Sequence, residues 1–140
     1  MKTVRTSGIL LAACITTTFA LSASAKDFEA ELKGAEEVPP VQTSASGEAE
    51  FDVKDDMSIS GHVETKGVKG IAAHIHQGAP GTSGGVIVPL EAKGDNDWVV
   101  PKGAKLTATQ MDALKSGGLY VNVHSDAHKD GEIRGQLKED

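Results

Sequence analysis

Thiols are nearly missing from this sequence. The single cysteine is Cys14, inside an N-terminal apolar stretch. Beyond that stretch there can be no internal disulfide and no thiolate site of the kind that holds copper(I) or structural zinc. Only Met57 and Met111 remain there as thioethers, too few for a methionine-rich copper(I) carrier. Aromatic residues make up 4% of the chain, and its one tryptophan, Trp98, reads as a packing residue rather than a binding platform. Positive charge is also short: 14 Lys and Arg stand against 20 Asp and Glu. An acidic surface argues against nucleic acid or an anionic membrane as partner. No serine sits in a nucleophile elbow, which leaves a hydrolase little support. Gly78-Ala79-Pro80-Gly81 lacks the lysine and following helix of a phosphate loop.

The apolar material is unevenly placed. Lys2 and Arg5 precede an uncharged stretch from Ile9 to Ala20, and Ala23-Ser24-Ala25 follows as an A-x-A cleavage signal. Basic, apolar and small residues in that order predict a secretory signal peptide over residues 1–25. The stretch is too short and too rich in threonine to span a bilayer, so no membrane span is expected. Leu11-Ala12-Ala13-Cys14 also fits a lipobox, which makes a lipoprotein anchored through Cys14 the alternative. Cleavage after Ala25 leaves 115 of the 140 residues, one domain over 26–140, in the periplasm or outside the cell. Losing Lys2 and Arg5 takes the formal charge from −6 to −8.

Short alternating segments fill the domain, separated by Gly, Pro, Asp and Ser. Phe28, Ala30 and Leu32 alternate with Glu29 and Glu31; Ala49, Phe51 and Val53 with Glu48, Glu50 and Asp52. Ile59 to Glu64, Ile71 to His76, Leu119 to His124 and Glu132 to Leu137 repeat the pattern. Period two sends each apolar set to one face and each polar set to the other. Val86 to Leu90 is continuously apolar and predicts a more buried strand. Gly94 to Asp97 predicts a loop, as do the two proline-bearing stretches, Val38-Pro39-Pro40 and Ala79-Pro80-Gly81. One helix is predicted from Thr107 to Ser116, with Thr107 and Gln110 as a capping box and Gly117-Gly118 as the stop. The expected fold is all-β, an antiparallel Greek-key sandwich or barrel with one short helix.

Histidine carries the chemistry. The domain holds His62, His74, His76, His124 and His128. His74 and His76, two apart in one strand, project from the same face about 7 Å apart at the backbone. That face lies opposite Ile71, Ala73 and Ile75, so a site there sits outside the barrel wall, under loops. His124 ends another strand on its polar side, and His128 follows in a turn that can fold back. His62 lies on the polar side of a third strand. A lone histidine would read as a surface residue; a pair with a second cluster points to a metal. Three or four neutral imidazoles suit copper(II) first and zinc(II) second. Arg134, the one arginine of the domain, either draws an anion to the site or pairs with a nearby Glu. Asp126, Tyr120 and Asn122 either support ligand imidazoles or serve as turn and cross-strand residues.

Several segments resemble the CHRD domain, a module described in chordin and in bacterial secreted proteins. They are Leu32 to Pro40, Ala72 to Gly81, Leu119 to His124 and Gly131 to Leu137, in the family's order. The resemblance implies the domain but no activity. The His-x-His pair with later histidines is also similar to the copper site of copper/zinc superoxide dismutases, Greek-key barrels with copper on the outer face. That likeness implies superoxide as substrate and Arg134 as the anion-guiding residue. The chain departs from those enzymes in lacking a disulfide and a zinc loop rich in Asp and His. Three functions follow: a copper protein that dismutates superoxide, a copper store or buffer without turnover, or a non-catalytic interaction or adhesion module. His74, His76 and His124 serve the first two, with either His128 or His62 completing the set.

Overall fold

The computed structural model describes residues 24–140. The leader expected over residues 1–25, with Cys14, lies outside them except for its last two residues. The elements run β1 (Ala25–Lys33), a 3-10 turn (Gly34–Glu36), β2 (Ser46–Lys54), β3 (Ile59–Lys66), β4 (Gly70–Gln77), β5 (Val86–Pro89), β6 (Glu91–Ala92) and β7 (Asp97–Val99). Then come α1 (Ala108–Lys115), β8 (Leu119–Ser125), β9 (Ile133–Gln136) and β10 (Lys138–Glu139).

Every strand pairing is antiparallel, in the order β5-β4-β8-β9-β1-β2-β3-β7-β6, with β10 also on β1. The two ends of that order are one piece of chain. Val86–Pro89 pairs with β4, and two residues later Glu91–Ala92 pairs with β7. Leu90 between them donates its N–H to the Ala73 carbonyl at 2.9 Å. The sheet therefore comes round into a nearly closed barrel. The steps from β3 to β4 and from β7 to β8 join strands that are not neighbours, which is the Greek-key feature expected from the sequence.

The inward sets are those the alternation predicts. Phe28, Leu32, Phe51, Val63, Ile75, Val121, Val123, Ile133 and Leu137 are all buried. Each such side chain contributes about 1.5–3 kcal/mol on burial. The helix begins as expected: Thr107 Oγ1 accepts from the Gln110 N–H and Gln110 returns a bond to the Thr107 N–H. Leu114 plugs it into the core.

Three expectations need correction. Ile71 belongs to the apolar set of β4 by alternation, yet it is 51% exposed. The register shifts between Gly70 and Ala72, and that bulge turns Ile71 outward. Val86 to Leu90 is not a strand buried on both faces. Val88 and Leu90 are buried with Pro89 exposed between them, so that part alternates like the other strands, and a register shift that skips Ile87 leaves Val86 50% exposed. Its outer face meets solvent because it is the closing strand of a barrel, not the middle of a covered sheet. A short strand, β7, also takes in Asp97 and places Trp98 in the core.

Candidate metal centre

The site lies on the outer face of β4, β8 and β9. Register builds a grid there. His74 stands opposite Asn122, which stands opposite Arg134; His76 stands opposite Tyr120, which stands opposite Gln136; His124 stands opposite Ala72. Asn122 is thus flanked by His74 and Arg134 across the strands and by Tyr120 and His124 along its own. Polar outward residues would ordinarily be wet. Here the stretches after Gln77, after Lys33 and after Ser125 cover them, so His76, Tyr120, Asn122 and Arg134 are all buried.

Three imidazoles converge. One nitrogen from each of His74, His76 and His124 lies within 4.8 Å of the other two. His74 Nδ1 and His124 Nε2 are 3.0 Å apart. With metal–nitrogen bonds of about 2.0–2.1 Å, neighbouring donors fall roughly 2.9–3.4 Å apart, so this pair already has the separation a metal requires. Backbone carbonyls fix the tautomers of the other two rings. His76 Nδ1 lies 2.9 Å from the Gly84 carbonyl and His124 Nδ1 2.7 Å from the Lys129 carbonyl. A carbonyl only accepts, so both Nδ1 atoms carry the proton and both Nε2 atoms present a lone pair. His76 Nε2 is buried with no hydrogen-bond partner. An orphaned lone pair near two other imidazoles calls for a donor or a bound cation, and these three rings could hold one. Without a metal, the His74 Nδ1–H donates to His124 Nε2; binding needs only the shift of that proton to the other His74 nitrogen.

Burial holds both His74 and His76 below the ordinary histidine pKa. For His74 the neighbouring His124 and His76 add to this, whereas the Gly84 bond partly offsets it at His76. Both rings are therefore neutral, the ligating form, at neutral pH.

Behind His76 stands a stack. The Tyr120 ring lies parallel to the His76 ring at 4.9 Å between centroids, and the Arg134 guanidinium carbon sits 3.4 Å from the Tyr120 centroid on the ring face. Arg134 is 2% exposed, with its Nη2 donating to the Ala79 carbonyl at 3.2 Å. The Tyr120 hydroxyl accepts from the Gly84 N–H at 3.0 Å. Gly84 thus orients His76 through its carbonyl and Tyr120 through its N–H. A Cβ at that position would overlap the Gln77 carbonyl, so only glycine fits.

Of the residues singled out by sequence, the structure brings His74, His76 and His124 together. His62 lies on β3, across the barrel from β8, with Nε2 3.7 Å from a Glu64 carboxylate oxygen. His128 is half-buried in the turn after β8, where it exchanges backbone hydrogen bonds with Ser125. Neither joins the three. Arg134 stands behind the Tyr120 stack and not at the mouth, and it has no carboxylate within ion-pair distance among the described residues. The Asp126 side chain is exposed, and the Lys129 carbonyl orients His124.

Glu37 was not legible as a site residue. It follows the 3-10 turn and is buried beside Asn122 and Arg134, with Oε1 unpartnered. Burial pushes its pKa up to about 7, against the opposing pull of Arg134. Its only signal is its place in the segment from Leu32 to Pro40. A tandem acidic pair, Glu36-Glu37, reads as solvated surface unless the covering loop is known.

Comparison with curated proteins and with solved structures gave no match. A family model described as the CHRD domain matches residues 28–137, from the first core residue of β1 to Leu137 after β9. That span holds all three imidazoles and the stack behind them, and the chain belongs to the CHRD domain family.

Proposed function

We propose that this protein is a copper-binding protein of the periplasm or extracellular space, with His74, His76 and His124 as ligands. The observation that carries the reading is the buried, partnerless Nε2 of His76 within 4.8 Å of two other imidazole nitrogens that are themselves 3.0 Å apart. Location rests on the order of basic, apolar and small residues over 1–25. Imidazole nitrogen alone, without thiolate or carboxylate, favours copper(II), with zinc(II) second.

Copper, when bound, supplies one-electron chemistry, and superoxide is the substrate we assign to it. The chain's own part is geometric and electrostatic. The Gly84 and Lys129 carbonyls fix two rings in the ligating tautomer. Tyr120 keeps water off one face of His76. Arg134 contributes a buried positive charge behind that ring, which favours an approaching anion from a distance and not by contact.

The test is copper(II) titration of the secreted domain by electron paramagnetic resonance, with a superoxide-consumption assay on the loaded protein. One equivalent bound with nitrogen hyperfine structure and fast superoxide loss is the expected result. Binding without turnover would leave a copper store or buffer. No specific binding would sink the metal reading in favour of the interaction module.

A further inference from the structure

The centre of the grid holds a side chain that no imidazole explains. Asn122 is 3% exposed and faces outward between His74 and Arg134. Its Nδ2 faces two acceptors, the Asp130 carbonyl at 3.4 Å and the Glu37 carboxyl, which leaves Oδ1 as the free end. Oδ1 is buried and has no partner. The carboxamide lies against His76, near enough to accept from a protonated ring, but with the ring neutral His76 Nε2 is the other orphan. Both atoms present lone pairs, because His76 carries its proton on Nδ1. Two buried acceptors side by side each forfeit a bond. A cation between them satisfies both at once.

We infer that Asn122 Oδ1 is the fourth donor of the metal centre, an oxygen beside the three imidazole nitrogens. The inference rests on the metal reading above and sharpens it. A neutral carboxamide oxygen is a harder donor than thioether or thiolate, so the set favours copper(II) and zinc(II) over copper(I). Gly131 is part of the device. A Cβ there would overlap Glu37 Oε1 and fall 2.7 Å from Asn122 Nδ2, so the bare backbone keeps the amide in place.

The chain has one other asparagine, Asn96, in the turn before β7, which makes a built-in control. Protein labelled with 13C-asparagine is titrated with zinc(II), which is diamagnetic, and the two carboxamide carbon resonances are followed. The Asn122 resonance should move in step with one equivalent of zinc while Asn96 stays still. Asn122→Leu should weaken zinc binding about 10–100-fold. Asn122→Asp, which keeps an oxygen donor, should stay within a few-fold of the natural protein. Zinc bound with an unmoved Asn122 resonance would overturn the fourth donor and leave the three histidines standing. No zinc bound to the natural protein would overturn the histidine site itself, and this inference with it. The labelled natural protein answers the question even if Asn122→Leu fails to fold.

Discussion

The barrel has two outer walls that alternate alike and live differently. On β1 and β2 the outward residues are mostly acidic and wet, and β3 beside them turns out Ser60, His62, Glu64 and Lys66. Asp27 faces Asp52, Glu29 faces Glu50 and Glu31 faces Glu48 in direct register. On β4, β8 and β9 the outward residues are His, Tyr, Asn and Arg, and loops cover them. Each wall raises the pKa of one carboxyl, for opposite reasons. Asp27 is raised by its hydrogen bond to Asp52 first, then by slight burial and by Asp52's charge. Glu37 is raised by burial, with charge opposing it. Like charges in solvent cost little because water and salt screen them; a polar group under a roof must find a partner in the protein or a bound ion. The contrast explains why His62 on the wet wall is an ordinary surface histidine and His76 on the covered wall is an orphan.

The contrast breaks most sharply with the ligands. His74→Ala with His76→Ala should abolish stoichiometric copper binding, while His62→Ala should leave it unchanged; isothermal titration of the three proteins decides this. Tight one-to-one binding by the double variant would show that the covered wall is not a metal site. The next effect is on packing. Gly131→Ala forces a side chain into the space of Glu37 and Asn122 at a backbone φ of 130°. It should cost about 1–3 kcal/mol of unfolding free energy in urea, whereas Glu50→Ala on the wet wall should cost almost nothing.

A smaller effect is pH-dependent. Folding raises the Glu37 pKa from 4.5 to about 7. The folded state therefore holds the proton more tightly than the unfolded chain does. The stability this contributes is complete below about pH 4.5 and is lost as pH rises through about 7. His74 and His76 titrate in the opposite sense, so the difference between the natural protein and Glu37→Gln isolates the carboxyl. Metal-free Glu37→Gln should gain in melting temperature relative to the natural protein between pH 4.5 and 7, and a flat difference would place Glu37 in solvent. The smallest effect belongs to the wet wall. Glu50→Lys turns the like-charge pair with Glu29 into an opposite one. It should raise the melting temperature slightly at low salt and not at high salt, with copper binding unmoved.

Much of the barrel was legible in the sequence because period two is a local property. Phe28 to Leu32 and Ala49 to Val53 fell on the expected faces, and Thr107 and Gln110 formed their capping box. Ile71 escaped because a bulge is a relation between two strands and leaves no mark in one. The His-x-His spacing placed two of the three converging imidazoles, and the outward face of β8 supplied the third. Glu37, and the burial of Asn122 and Arg134, could not be read. They depend on loops that fold over the wall from three separate places, and alternation says which way a side chain points but not what lies above it.

The hydrogen bond from Leu90 to Ala73 has a consequence for self-association. A sheet with open sides invites foreign strands, and fibrils grow by adding them. Here the segment from Val86 to Ala92 passes from β4 to β7 and occupies both sides with a single stretch of chain. Loosening it would bare two templates at once. Resistance to strand addition is therefore concentrated in seven residues, and their pairing guards the whole barrel against polymerising.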